Sequence, residues 1–393
     1  MRRCVILTAF LSVAVMYAVF QSTPALADPE LVVDDNGLDC PGAGFTSIQA
    51  AVNAAAPRAR IRVCAGTYIE QVTINKPLTI IGDNGAVVMP SPMVANTSSL
   101  FSGAPLAAAI LVDGTTNVTV KGLTVDGVGA GIFCGSPSVI GIFYRNGSGK
   151  IKDVAVRNIK SLPGGEGCQT WLGIFVQSGG GGTSTVEVED SSVHDYQKNG
   201  ITGNEPGTDI RVKGNIVTGI GPTTGAAQNG IQIGFGATGR IEENTVINHL
   251  WSPCVSVSIC DFVATNILVA EADSVRIAEN TVGKGQVGIY LVGNKGKVEG
   301  NNVFDTDVWD GIAVVGDNNK VEGNTITNSD EAAIFLEGNQ NSIIGNKINE
   351  APVGVLKVSG GVGNVIEGNH FVNTLTPILD PPPAPGGSPT PFR

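Results

Sequence analysis

A phrase recurs along this chain. Gly-Ile, or a close variant, opens a short apolar stretch, and Gly-Asn or Glu-Asn follows about a dozen residues later. It is clearest near the C-terminus: Gly288-Ile289-Tyr290-Leu291 with Gly300-Asn301, Gly311-Ile312-Ala313-Val314 with Gly323-Asn324, Ala333-Ile334-Phe335-Leu336 with Gly345-Asn346, and Gly354-Val355-Leu356 with Gly368-Asn369. The openings are 23, 22 and 21 residues apart. A unit this short cannot bury its own apolar side chains, so it must stack on a copy of itself. The repeat therefore predicts a solenoid of short strands and tight turns, in which the 53 glycines sit at corners rather than in disorder.

Earlier openings fall at Gly141, Gly173, Gly200, Gly230 and Asn266, with intervals of 32, 27, 30 and 36 residues and then 22 to Gly288. The surplus over the minimal rung must leave as loops, placed at 161–170, 177–184, 221–228 and 250–263, and such insertions tend to gather on one face. Asn215, Asn244, Asn280, Asn301, Asn324, Asn346 and Asn369 share one phase. Rungs stack about 4.8 Å apart, so these amides are expected to form a structural ladder at a turn that tolerates left-handed backbone.

The ends read differently. Arg2 and Arg3, the apolar run Val5–Phe20 and Ala25-Leu26-Ala27 have the order of a secretory leader, 1–27, with an apolar run too short to span a bilayer. Without it the chain has 22 basic and 35 acidic residues, a net charge of −13, which argues against nucleic acid and anionic membrane surfaces as partners. Six cysteines remain, an even number in an exported chain. Sequence proximity pairs Cys40 with Cys64, Cys134 with Cys168 and Cys254 with Cys260. No Cys-x-x-Cys occurs and the three histidines are scattered, so no metal ligand set is assigned. Thr46-Ser47-Ile48-Gln49 reads as a capping box with Thr46 as N-cap, opening a helix over 46–56 that would cover the first rung. The expected organisation is a single solenoid over 28–374 (cap 28–82, long-loop rungs 83–265, regular rungs 266–374). The Pro/Gly-rich tail 375–393 is expected not to continue the sheets.

The segments Phe45–Val52, Ile61–Glu70 and Leu78–Gly82 resemble the N-terminal cap and first rung of pectinesterase-like proteins. The later rungs resemble the generic repeats of the NosD-like group. Both lie within the pectin lyase-like superfamily of right-handed parallel β-helix proteins, and the resemblance covers about residues 30–374. It implies an all-β, single-stranded right-handed parallel β-helix with a short N-terminal capping helix. It does not imply a reaction. The chain has no Gln-Asp-Thr-Leu, no Asp-Phe-Ile-Phe-Gly, no Gly-Asp-Asp, no Arg-Ile-Lys, no Trp-x-Asp-His and no Arg-x-Pro-x-x-Arg, the signatures of pectinesterases, polygalacturonases and pectate lyases. A metallocofactor role of the NosD kind would want clustered His, Met or Cys, which the chain lacks.

Three groups are candidates for chemistry. If the first Ile of each strand faces inward, the next residue faces outward. That outward row is Phe143, Phe175, Thr202, Gln232, Leu268, Tyr290, Ala313, Phe335 and Leu356, with Arg145 and Lys357 beside it. Its aromatics would stack on sugar rings if exposed, or lie under a loop or the tail if not. Asp305, Asp307, Asp310, Asp330, Glu331 and Glu350 cluster before successive strands, with Trp309 alongside. Asp307 and Asp330 are one rung apart, so the cluster is a candidate carboxylate pair for glycosidic hydrolysis, a candidate Ca²⁺ site, or a solvated turn. The catalytic candidates are Asp307, Asp310, Asp330 and Glu331. Substrate-binding candidates are Phe143, Arg145, Phe175, Tyr290, Trp309 and Phe335. His194, Asp195 and Lys198 form a third group, with the first two expected to point apart, and His249 beside Trp251 is a candidate base. The reading is a monomeric secreted protein that binds, and as an enzyme would hydrolyse, a polysaccharide or cell-wall glycan. The alternative is a non-catalytic surface scaffold.

Overall fold

The computed structural model describes residues 30–254, 260, 262–358 and 360–380. The expected leader and residues 381–393 of the expected tail lie outside them. The chain winds as a parallel β-helix in which each rung contributes three strands in a fixed order. Face one runs from Leu31–Val33 to Val365–Glu367, thirteen strands in unbroken parallel order. Face two contains, among others, Ala155–Ile159, Ser192–Tyr196, Thr245–Trp251, Asn302–Thr306 and Thr325–Ser329. Face three contains Pro105–Asp113, Ser138–Arg145, Leu172–Gln177, Asn199–Asn204, Asn229–Gly234, Thr265–Ala270, Val287–Val292, Ile312–Val315 and Ala332–Glu337. The last two strands, Lys347–Lys357 and His370–Leu379, run through faces two and three without a break.

The interior is a set of aliphatic columns. Ile142, Ile174, Ile201, Ile231, Ile267, Ile289, Ile312, Ile334 and Val355 pair rung to rung on face three, and all are fully buried. The preceding glycine has a steric cause. A Cβ on Gly200 would stand 2.6 Å from the Gly230 carbonyl oxygen and 2.7 Å from Val217 Cγ1 of its own rung. Gly141 and Gly173 meet the same obstruction.

The asparagine ladder between faces one and two forms as expected. In each step the side-chain oxygen of one asparagine accepts both the backbone N–H and the side-chain N–H of the asparagine one rung earlier, at 2.9–3.0 Å. The left-handed residue, however, is the one before the asparagine. Gly214, Glu243, Glu279, Gly300, Gly323, Gly345 and Gly368 have φ of 58–68°. This explains the Gly-Asn or Glu-Asn phrase, because the preceding position needs φ > 0 and the asparagine supplies the bonds. Glu279 holds that conformation with a Cβ, at a cost of about 1–2 kcal/mol. Glu279→Gly is expected to raise stability by about 1 kcal/mol, after the entropy glycine adds to the unfolded chain, read as a higher urea midpoint with unchanged m-value.

Three expectations change. The helix is Ile48–Ala54 with Ser47, not Thr46, as N-cap. Its first amides are held by Glu70 from the next turn of chain, which accepts from Ile48 N (2.7 Å) and Gln49 N (2.9 Å), while Gln49 bonds the backbone of Thr73. Ser47 Oγ accepts locally from Ala50 N at 3.2 Å, whereas the Glu70 bonds are tertiary, which a local box cannot anticipate. The solenoid also continues past 374. His370–Leu379 is a paired strand, and Lys357 reaches Asp380 at 2.6 Å. Pro377 is tolerated because this strand pairs on only one side in the described residues, so its missing N–H costs no ladder bond. Finally, Asp305 and Glu350 belong to a column of left-handed turn residues on face two with Asn158, Asp195, Asn248, Lys284, Asn328 and Asn373, φ 48–67°.

The outer surface of face one is a solvated charge lattice. Lys150, Arg211, Arg276 and Lys320 pair with Glu187, Glu189, Glu242, Glu299 and Glu322. Exposed pairs of this kind contribute little each and keep a flat sheet soluble. Face three has the opposite character.

Candidate functional site: the outer surface of face three

The predicted outward row is in register. Phe143, Phe175, Thr202, Gln232, Leu268, Tyr290, Ala313, Phe335 and Leu356 are consecutive Cα partners. Its environment changes along the axis. At the N-terminal end Phe143 and Phe175 stack, centroids 4.9 Å apart and planes 11° from parallel. Both are buried in a second small core with Leu106, Ala108, Leu111 and Ile140. The chain before this sheet, with Thr97–Ser98 antiparallel to Pro105–Leu106, lies against this end. Its Ser98 carbonyl takes Arg145 Nε at 3.0 Å, and Gln177 holds Leu100 N at 2.8 Å. Arg145 also donates to Asp113 at 3.0 Å. The covered alternative therefore applies to Phe143 and Phe175, while Arg145 is partly exposed with its guanidinium engaged by Ser98 O and Asp113. Tyr290 and Phe335, farther along, are only half-buried.

The middle rungs carry neutral amides. Asn199 donates to Thr202 (3.2 Å) and Gln232 (3.0 Å), Asn229 to Asn199 (3.2 Å), and Gln232 to Asn204 (3.1 Å). Three loops line the edge between faces two and three, and buried glutamines fasten them. Gln197 donates to the carbonyls of Gly165 and Cys168 and accepts from Ser161 N. Gln228 accepts from Ile220 N and donates to Tyr196 O. Gln286 accepts from Trp251 N and Ala264 N and donates to Phe262 O. Sequence reasoning missed these anchors. Their signal was present as Gln197-Lys-Asn-Gly, Gln228-Asn-Gly and Gln286-Val-Gly, each just ahead of a strand opening. The disulfides Cys134–Cys168 and Cys254–Cys260 close two of the same loops, and Cys40–Cys64 ties the cap to the first rung, matching the expected pairing.

The carboxylates gather at the far end of this walled edge. Asp310 comes just before the corner glycine Gly311, at the same phase as Asn199 and Asn229. It is 2% exposed, and its Oδ1 has no hydrogen-bond partner among the described residues. Burial and then the charge of Glu331 push its carboxyl well above the usual range, opposed only by a backbone hydrogen bond from Ala332. Glu331 and Glu337 are raised by burial. Asp307 is raised by burial and by Asp330, which is within hydrogen-bonding reach and also accepts from Val308 N at 3.1 Å. Tyr290 is pushed up to about 12 by burial and by the charges of Glu337 and Asp310, which places the three together. Trp309 Nε1 lies 3.4 Å from Cys260 Sγ, so the disulfide loop borders the cluster. Asp307, Asp310, Asp330, Glu331, Trp309 and Tyr290 thus form one neighbourhood, while Asp305 and Glu350 remain turn residues on face two.

The histidines do other work. His194 Nδ1 meets Asp195 at 2.7 Å, because the left-handed Asp195 (φ 54°) turns its side chain toward its neighbour rather than away. Lys198 donates to the Ala227 carbonyl, and burial pulls its amine down to about 8. His249 is fully buried inside the solenoid, with Tyr196 on Nε2 and Asn266 at 2.6 Å on Nδ1. Both ring nitrogens are engaged, so it is no base for a surface substrate. Its pKa is lowered to about 4, mainly by burial. The unfolded chain takes up this proton near pH 6.5 and the folded chain does not. The resulting stability is present above pH 6.5 and is lost as pH falls toward 4, about 3 kcal/mol in all. Urea melts at pH 7 and pH 4.5 should show that loss, and His249→Gln should remove most of its pH dependence.

The fold is shared with solved parallel β-helix proteins. A GH136 lacto-N-biosidase from Eubacterium ramulus superposes with a TM-score of 0.63 at 13% identity, covering 87% of this chain and 67% of that one. A DFA-IIIase from Arthrobacter chlorophenolicus A6 gives 0.56 at 12%, covering 86% and 93%. The A-module of the mannuronan C-5 epimerase AlgE4 from Azotobacter vinelandii gives 0.50 at 15%, covering 86% and 95%. Identities this low speak for the right-handed parallel β-helix alone. The profile of the family NosD, described as periplasmic copper-binding protein, matches residues 197–379, just under half of the chain. No curated protein matches. The residues present do not fit copper. Among the described residues the one cluster of three potential ligands is Cys40, Cys64 and Asp83, whose two sulfurs are bonded to each other.

Proposed function

We propose that this is an extracytoplasmic glycan-binding protein that hydrolyses glycosidic bonds on the outer surface of face three, with Asp310 as the proton donor. The observation that carries the reading is the buried Asp310 carboxyl beside Glu331 and Tyr290, with its Oδ1 unpartnered among the described residues. Burial and then the charge of the less buried Glu331 favour the protonated form of Asp310, the division of labour that glycoside hydrolysis requires. Asp310 gives its proton to the glycosidic oxygen as the bond to the anomeric carbon breaks, and Glu331 takes a proton from the attacking water. Half-buried Tyr290 and Phe335 supply ring faces for stacking. Asp307 and Asp330 offer adjacent carboxylates to Ca²⁺, which takes oxygen ligands. Three disulfides suit an oxidising compartment, in keeping with the leader read at 1–27 and with the periplasmic description of the matching family. The similar solved structures named above are carbohydrate enzymes, which supports the substrate class but not the reaction.

The test is a glycan panel incubated with the purified protein, with and without Ca²⁺. It reads new reducing ends and, separately, the ultraviolet absorbance of unsaturated uronates. Reducing ends without that absorbance are expected. Absorbance would mean elimination and would sink the Asp310–Glu331 assignment. Silence from folded protein across the panel would leave the scaffold reading.

A further inference from the structure

Resting on the glycan reading above, we infer that the outer surface of face two is a second, non-catalytic strip that holds a polysaccharide chain beside the carboxylates of face three. Five consecutive strands carry it: Ile216–Thr223, Thr245–Trp251, Thr281–Gly285, Asn302–Thr306 and Thr325–Ser329. The second residue of each is fully buried in the core, so the first and third face outward. These outward residues are Cα partners from rung to rung and form two parallel rows. Not one of them is charged. Face one carries Arg211, Arg240, Arg276, Lys297 and Lys320 on the same five rungs, so the neutral strip belongs to face two and not to the repeat.

An aromatic platform lies within the strip. A Cβ on Gly283 would stand 2.7 Å from both Cε1 and Cζ of Phe304. The Phe304 ring therefore lies across the preceding rung, over the one outward position that has no side chain. It is half-buried, and the ring face turned away from Gly283 is left to stack on the C–H face of a sugar. The polar neighbours are free to bond a ligand. Thr281, Asn302, Thr325 and Thr327 make no side-chain hydrogen bond among the described residues, and Asn302 and Thr325 are exposed. Hydroxyls and amides of this kind both donate to and accept from sugar hydroxyls. Size narrows the occupant. Four rung steps of about 4.8 Å make the strip about 19 Å long, and its rows lie about 7 Å apart. A footprint under about 200 Å² is far below the roughly 800 Å² per partner of a stable protein interface, so it suits a thin linear polymer rather than a second copy of this chain. The strip also adjoins the proposed chemistry. Asn302–Thr306 runs directly into the segment Asp307 to Asp310, and Thr325–Ser329 into Asp330 and Glu331. A polymer held on face two is kept beside the carboxylates by the same two rungs.

The experiment uses the whole chain carrying Asp310→Asn, so that bound polymer is not cut. It is mixed with insoluble cellulose, chitin, xylan and calcium alginate gel, and the protein left in solution is measured. Retention on at least one polymer is expected. Phe304→Ala removes the platform. Thr281→Lys with Thr325→Lys puts charge on the strip, in a row where Lys347 already stands one rung beyond Thr325. Each variant is expected to weaken retention at least tenfold. With Asp310 restored, each should slow cleavage of the polymer while cleavage of short soluble oligosaccharides stays as in wild type. Retention indifferent to both variants would overturn the strip, as would absence of retention from a protein that still cleaves oligosaccharides. Either result would leave the reading of face three intact. Retention that the variants abolish, without cleavage of any glycan, would uphold the strip and bring down the hydrolytic reading. Sedimentation that shows a dimer in the parent and a monomer in the lysine variant would assign the strip to self-association and overturn the inference.

Discussion

Asp310→Asn should lower turnover by about 10²–10⁴-fold, the usual contribution of a positioned general acid, while making the protein more stable at neutral pH. The two effects have one cause. Asp310 is buried, its Oδ1 has no partner among the described residues, and Glu331 adds like charge. Ionising it in the folded state is costly, so its folded pKa lies above its unfolded value. Its stabilising contribution is full below the unfolded value, near pH 4, and is lost as pH rises through the raised folded value. An isosteric amide has no ionisation to oppose. Thermal midpoints of wild type and variant should therefore agree near pH 4 and diverge in favour of the variant toward pH 8. The basic limb of the pH–rate profile, set by Asp310, should vanish with it. A variant as active as wild type would end the catalytic assignment. A variant less stable than wild type at neutral pH would mean that the carboxylate is paired rather than stranded.

Asn324→Leu is expected to cost about 4 kcal/mol. The Asn324 side chain donates to Val298 O (2.9 Å) and Asn346 Oδ1 (2.9 Å), and accepts from both Asn301 N and Asn301 Nδ2 (2.9 Å each). It is fully buried. Leucine fills similar volume but leaves several buried polar groups unpaired, at roughly 1–3 kcal/mol each, moderated by relaxation. The same change at Asn369 should cost clearly less, because Asn369 is partly exposed and is the last of the seven. Urea midpoints compare the two, and amide exchange around 298–346 should locate the damage. Equal losses at 324 and 369 would show that the ladder is not cooperative along the axis.

Much of this could be read from the chain. The repeat gave the stacking, because a rung that cannot bury its own Ile column must share it with the next. The alternation after each Gly-Ile gave the outward row from Phe143 to Leu356 residue by residue. The asparagine phase gave the ladder, though not which residue turns left-handed. A second ladder, Asn319–Asn341–Asn364 between faces three and one, has the same spacing at a different phase. Neighbouring cysteines gave the disulfides. Each of these rests on a period or a proximity that a linear sequence records.

What the sequence could not record is which parts of that row meet solvent. Phe143 and Phe175 have the same phase as Tyr290 and Phe335, yet the segment containing Ser98 and Leu100 folds back over the first pair and not the second. Arg145, the obvious cation for an acidic sugar, is consumed by Ser98 and Asp113. Lys198, well placed in sequence for catalysis, is consumed by Ala227. Asp310 is read from sequence as a catalytic candidate in an acidic cluster that a solvated turn would equally explain, and only packing buries it and leaves its Oδ1 without a partner among the described residues. The sequence by itself determined the solenoid, its register and its ladders, because repeated local interactions are written in the spacing of residues. The tertiary structure decided exposure, pairing and ionisation, because these depend on which distant loop lies over each side chain.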